Sequence, residues 1–371
     1  MTHSEEQIKD LLKDVVDPNT NDNLINDKSI KSISIKDNDI DIKVLLGYPA
    51  KSQLNDIKNL IATQIKKILP EVNLNIEVDF KITSHAAQKG IALIPGVKNI
   101  IAVASGKGGV GKSTTAVNLA LALSAEGARV GILDADIYGP SQPQMLGIYT
   151  KPESKDGKSM EPIMAHNIQA MSIGFLVDTE TPMVWRGPMA SSALKQFVTD
   201  VLWDELDYLI IDLPPGTGDI HLTMVQTIPV TGAVIVTTPQ DVAVADAKKA
   251  IMMFDGPQIK VPILGVVENM AYFTPEELPN NKYYIFGQEG AKNLAADLNV
   301  PFLGEVPIVQ SIREAGDFGR PAAMQEGSLI ESVFQEITRN VVQQTVNRND
   351  SLPATEAIKI TTMAGCSAVK K

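Results

Sequence analysis

The chain has 371 residues, room for two domains at about 100–200 residues each. With 44% hydrophobic and 21% charged residues it is ordinary for a globular protein, which excludes a collagen-like, low-complexity or wholly disordered chain. No apolar run approaches the roughly 20 residues of a membrane-spanning helix, and a formal charge of −11 disfavours a phosphate-backbone binder.

The polar, acidic start over residues 1–13 is unlike a secretory or transit peptide, so a cytoplasmic protein with no nucleic-acid or membrane partner is expected. A single cysteine, Cys366, excludes an intramolecular disulfide framework. Residues 7–16 carry Ile8, Leu11, Leu12, Val15 and Val16 at helical spacing, and Asp17-Pro18-Asn19 stops the helix. Residues 33–46 alternate as two strands around a turn at 36–39. A second amphipathic helix is expected over 54–69, with Leu54, Ile57, Ile61, Ile65 and Leu69 on one face. A strand follows over 74–82. These elements make a small α+β domain over residues 1–82, joined by a polar linker, 83–96, to what comes next.

From Val97 onward, short β-rich runs alternate with helical stretches. Strands are expected over 100–104, 129–134, 168–173, 208–212, 233–238, 263–268 and 302–306, with helices over 113–126, 194–206, 242–254 and 329–342. Continuous apolar runs such as Tyr208-Leu209-Ile210-Ile211 are those of parallel strands buried on both sides. The fold class is therefore α/β, with a mostly parallel sheet covered on both faces over residues 97–346, and the GxxxxGK[ST] loop at 106–114 between its first strand and helix makes it a P-loop NTPase. A tail over 347–371 reads as weakly structured and carries Cys366.

The chemistry concentrates after the first of these strands. Gly106-Lys107-Gly108-Gly109-Val110-Gly111-Lys112-Ser113-Thr114 has the GxxxxGK[ST] spacing between a strand and a helix. Its glycines let successive backbone N–H groups point into one concavity, and the following helix N-terminus adds partial positive charge. Lys112 would reach the β- and γ-phosphates of ATP, and the Ser113 hydroxyl would ligate Mg2+. Lys107 is a second lysine that an ordinary phosphate loop does not need. It is either a solvated surface residue or a finger reaching a nucleotide held by a second copy of the chain. Asp212 ends an apolar strand where a metal-holding aspartate stands. Asp136 could orient the attacking water and Asp134 could sit near Mg2+, although aspartates after a strand are also common turn formers. The run Pro214-Pro215-Gly216-Thr217-Gly218-Asp219 has the residues of a γ-phosphate-sensing segment.

The loop from Gly106 to Thr114 resembles the deviant Walker A loop of the MinD/ParA/nitrogenase-reductase class, in which the extra lysine is characteristic. Three stretches resemble the Mrp/ApbC family of iron–sulfur cluster carriers: Leu133-Asp134-Ala135-Asp136-Ile137-Tyr138-Gly139-Pro140-Ser141, Trp185-Arg186-Gly187-Pro188-Met189, and Ile211 to Asp219. The first 82 residues, including Val16-Asp17-Pro18, are similar to the small iron–sulfur assembly-associated domain that often precedes it. The resemblance implies a homodimer enclosing two ATP molecules, with Lys107 crossing the interface and Asn269 contacting adenine. It implies slow ATP hydrolysis coupled to transfer of an iron–sulfur cluster to apoproteins, in company with assembly proteins.

The chain departs from that family where the cluster is held. The family's Cys-x-x-Cys pair, soon after the Asn-Met segment, is missing, since residues 271–290 hold no cysteine. Four thiolates from a symmetric dimer need two per chain. Cys366 is the one thiolate available to a cluster, or a free thiol with no role, and His3, His85, His166 and His221 have no ligand spacing. Two functions follow: an ATP-dependent cluster carrier using Cys366, or a nucleotide-switched dimeric regulatory or assembly ATPase that holds no cluster.

Overall fold

The computed structural model describes residues 4–355, apart from 26–27, 88–93, 177–193, 195, 219–220, 222, 226–227, 258 and 276. Cys366, the Trp185–Met189 stretch and Asp219 lie outside the described residues.

The first unit contains α1 (Glu5–Leu12), β1 (Ile30–Lys36), β2 (Asp39–Leu46), α2 (Leu54–Ile68) and β3 (Asn73–Phe80). The strands form a sheet in the order β1-β2-β3, antiparallel then parallel. β2 alternates in burial along its length, so one face packs and the other is wet. Ile40, Ile42, Val44 and Leu46 meet Ile57, Ile61 and Ile65 of α2 in the core, as the two periodicities require. α1 ends at Leu12, four residues short of the predicted stop.

The second unit contains β4 (Val97–Ala104), α3 (Lys112–Ala125), β5 (Val130–Asp134), α4 (Gln142–Leu146), β6 (Ile163–Ala165), β7 (Ile168–Ser172) and β8 (Leu206–Asp212). It continues with β9 (Gly232–Thr237), α5 (Asp241–Asp255), β10 (Ile263–Phe273), α6 (Gly290–Leu298), β11 (Phe302–Ile308), α7 (Gln310–Asp317) and α8 (Leu329–Ser351). Its eight-stranded sheet runs β11-β10-β9-β4-β8-β5-β7-β6, parallel throughout except for the edge pair β6–β7. Every residue of β5, β8 and β9 is buried. Successive side chains point to opposite faces, so helices must cover both sides of the sheet's centre. α3 is buried almost all round and packs against α8 as well as the sheet, which its alanines at 116, 120 and 122 allow. No helix of the described residues is long and apolar enough to cross a membrane.

Two predicted helix ends in this unit move by several residues. The helix expected through residue 206 stops earlier, because Val201 bridges to Met160 and β8 starts at Leu206. The helix expected to end at residue 342 runs to Ser351, so the weakly structured tail does not begin at 347. Arg348 is buried there, with Nε donating to the Thr231 carbonyl at 3.1 Å and Nη2 to the Thr355 hydroxyl at 3.0 Å. Composition marked this stretch as polar, but its polar groups pair with the Thr231 carbonyl, the Asn99 side chain and the segment that follows the helix. The predicted linker is likewise bonded at its start. Thr83 N–H donates to the Gly47 carbonyl, the Thr83 carbonyl accepts from Asn99, and Ala86 accepts from Thr355 N–H. Glu126, at the end of α3, closes the junction by accepting from Ser52 N–H at 2.9 Å and Ser52 Oγ at 2.5 Å.

Candidate nucleotide site

The site forms where β4, β5 and β8 end, at the carboxyl edge of the sheet, where ligands of open α/β sheets bind. The glycine loop leaves β4 and enters α3 through Gly111, whose φ of 82° is left-handed. A side chain at Gly111 would collide with the Asn269 amide, and one at Gly106 would land on the Asp246 backbone of α5. These two glycines therefore answer to close approach as well as to backbone freedom.

Lys112 is buried, and its Nζ lies 2.5 Å from Asp212 Oδ1, 3.1 Å from Ser113 Oγ and 3.9 Å from Asp136 Oδ2. The ammonium rests among carboxylates. β5 and β8 pair so that Asp134 stands directly beside Asp212. Asp134 Oδ2 accepts from Gln142 N–H at 3.1 Å and Ser172 Oγ at 3.0 Å, and Oδ1 accepts from Asp136 N–H at 3.2 Å. Burial, and then the charge of Asp212, push the Asp134 carboxyl up to about 7. Burial also raises Asp136, which accepts from Gly139 N–H at 3.3 Å. Lys107 is exposed and makes no side-chain hydrogen bond or ion pair among the described residues.

Asn269 comes from β10, where the register against β11 shifts and Met270 takes a left-handed φ of 55°. Its amide donates to the Val110 carbonyl at 2.9 Å, tying β10 to the loop. Beyond it opens a cavity of about 400 Å³ lined by Gly111, Thr114, Met270, Phe286, Ile308 and Ile312. The volume and the apolar walls suit a nucleobase with its sugar. The cavity meets the loop at Gly111 and Thr114. Pro214 to Gly218 lies over the loop, with Gly216 N–H donating to the Ser105 carbonyl at 2.8 Å.

A family model described as NUBPL iron-transfer P-loop NTPase matches residues 96–342, and one for an iron–sulfur cluster assembly protein matches 5–78. The chain belongs to the NUBPL iron-transfer P-loop NTPase family. The iron-sulfur cluster carrier protein of Escherichia coli K12 is 44% identical over 338 residues, 91% of either chain. The iron-sulfur cluster transfer protein NUBPL of Dictyostelium discoideum is 49% identical over 254 residues, 68% of this chain and 78% of that one. A nucleotide-binding protein of Archaeoglobus fulgidus, solved with ADP, is 41% identical at a TM-score of 0.54, covering 61% of this chain and 88% of that one. Apo McdA of Cyanothece, 18% identical, shares the fold at a TM-score of 0.50 over 66% of this chain and 99% of that one.

Within this family's fold, the predicted Lys112, Ser113, Asp134, Asp136 and Asp212 meet around one point, while Lys107 stands apart and exposed. Sequence reading missed Gln142, whose Nε2 donates to Asp212 Oδ2 at 2.9 Å and to the Ser113 carbonyl at 3.1 Å. It also missed the far wall of the cavity, Phe286, Ile308 and Ile312. Among the described residues no group of three or more His, Cys, Asp or Glu side chains could hold a metal ion by itself. A magnesium ion carried in by a nucleotide needs fewer protein ligands, and the hard oxygens of Ser113 and Asp212 fit it. The buried Gln142 Oε1 has no hydrogen-bond partner among the described residues.

Proposed function

We propose that this chain is a magnesium-dependent ATPase that closes as a twofold pair around nucleotide and carries iron–sulfur clusters to acceptor proteins. The observation that carries the ATPase reading is the position of Lys112, held at the mouth of the glycine loop by Asp212 and Asp136. A triphosphate offers that ammonium a stronger counter-charge, so Lys112 turns to the β- and γ-oxygens and frees Asp212 Oδ1. Ser113 and Asp212 would hold magnesium, which when bound neutralises charge on those phosphate oxygens. Asp136 orients the attacking water, with Asp134 fixing its backbone. Asn269 and the cavity beside Thr114 take the adenosine. Lys107, with no side-chain partner among the described residues, reaches the nucleotide of the second copy.

Calorimetry tests this reading. ATP binds the parent protein, Lys112→Ala abolishes binding, and Lys107→Ala keeps binding but slows hydrolysis. Equal loss of affinity in both variants contradicts the crossing role.

The cargo reading rests on the family and on the relatives' names. Two Cys366 thiolates from a pair would hold the cluster, with exogenous or acceptor ligands completing it. A second reading, a nucleotide switch that holds no cluster, is favoured by the absence of cysteine from residues 271–290. Anaerobic purification with iron and sulfide analysis, on the parent and on Cys366→Ser, separates them. Iron in the parent alone supports the carrier, equal iron in both removes Cys366 as ligand, and iron in neither leaves the switch.

A further inference from the structure

We propose that Gln142 is a positioning residue that clamps the Asp212 carboxylate to the phosphate loop, so that Asp212 keeps its place when Lys112 turns to a nucleotide. The proposal rests on the nucleotide reading above and names a residue for it that no spacing rule singles out.

Gln142 is 1% exposed, which is unusual for a glutamine and requires its amide to be paired. Both amide hydrogens are placed. One reaches Asp212 Oδ2 at 2.9 Å, and the other reaches the Ser113 carbonyl at 3.1 Å. The backbone N–H of the same residue donates to Asp134 Oδ2 at 3.1 Å. One residue therefore ties together the start of α3 and the ends of β8 and β5. These are the three segments whose side chains surround the phosphates.

The division of Asp212 is what makes this a clamp. Lys112 holds Oδ1 and Gln142 holds Oδ2. Asp212 has no exposed surface, so once Lys112 turns to a phosphate its Oδ1 loses the one side chain that donates to it among the described residues. The bond from Gln142 persists through that exchange because it uses the other oxygen. It holds that carboxylate to the segment carrying Ser113, which would be the other magnesium ligand. Gln142 Oε1 remains, buried and without a donor among the described residues. It is available to accept from a water molecule held beside Asp212, an outer contact of the kind that tunes metal affinity.

The test is calorimetry of ADP binding with and without magnesium, on the full-length parent and on Gln142→Met, which keeps the volume and removes the amide. The readout is the gain in ADP affinity on adding magnesium, which a general packing role does not change selectively. Gln142→Met is expected to hold metal-free ADP within about twofold of the parent and to lose about tenfold of the magnesium-dependent gain. Gln142→Leu is the second variant should the methionine form not fold. A variant that keeps the parent's full magnesium gain overturns the clamp, as does affinity that falls equally with and without the metal. A parent that gains nothing from magnesium overturns the nucleotide reading as well, so the two failures are told apart by which protein shows them.

Discussion

Removing the Lys112 ammonium from the nucleotide-free protein should destabilise it, because the lysine is the main counter-charge of a carboxylate that water cannot reach. Across 2.5 Å the gross attraction between Lys112 and Asp212 is about 7 kcal/mol at an effective dielectric constant of about 20. Desolvation of the two ions takes most of this back, so the pair's net contribution is small. The asymmetry appears when one partner is deleted. Lys112→Met leaves Asp212, 0% exposed, beside the equally enclosed Asp134 and close to Asp136. Breaking a buried pair in this way costs about 3–5 kcal/mol. The surviving hydrogen bond from Gln142 places the cost toward the lower end. For a cooperative unit of about 250 residues, roughly 2 °C per kcal/mol converts this to a fall of about 6–10 °C in Tm. The assay is scanning calorimetry without nucleotide. The double variant Lys112→Met with Asp212→Asn should recover about half or more of the loss, since the orphaned charge goes with its partner. A Lys112→Met protein that unfolds at or above the parent's temperature would refute the reasoning. So would a double variant no more stable than the single one.

Gly106→Ala should separate α5 from the loop, because the added methyl meets rigid Asp246 backbone. We expect about 1–3 kcal/mol of lost stability and loss of ATP binding, read by denaturant unfolding and calorimetry. Glu126→Ala removes the acceptor of two Ser52 bonds and a carboxylate 3.7 Å from Arg339, so an extra, earlier unfolding transition should appear as the first unit undocks. A single unchanged transition would count against that junction. Burial, and then Arg348, hold the His85 imidazole down at about 4, below its usual 6.5. The proton therefore favours the unfolded chain, and stability should fall as pH drops from 6.5 toward 4, by about 1–2 kcal/mol after discounting for the partly exposed ring. Denaturant midpoints across that range should flatten in His85→Gln, and an unchanged slope would contradict this role.

The nucleotide site was legible in the sequence wherever its logic is local. Gly106 to Thr114 owes its shape to residues a few positions apart, so spacing alone marks the anion cradle. The apolar run before Asp212 announces a buried parallel strand with a carboxylate at its end. The alternation of strands and helices likewise announces the α/β class, because periodicity is a property of consecutive residues.

What the tertiary structure decided is which of these segments are neighbours. The sheet order sets β8 between β4 and β5, and only that order puts Asp134 beside Asp212 and carries Gln142 to both. A lone glutamine after a turn has no sequence signature, since its meaning lies in the carboxylate it meets 70 residues away. The polar stretches around residues 83–87 and 347–355 read as linker and tail for the same reason. Their partners, Gly47, Lys98, Asn99 and Thr231 among them, are set by the packing of α8 and the first unit against the sheet. Propensity and spacing act along the chain, whereas the pairing of a buried polar group is settled by whichever distant donor or acceptor the fold brings within about 3 Å.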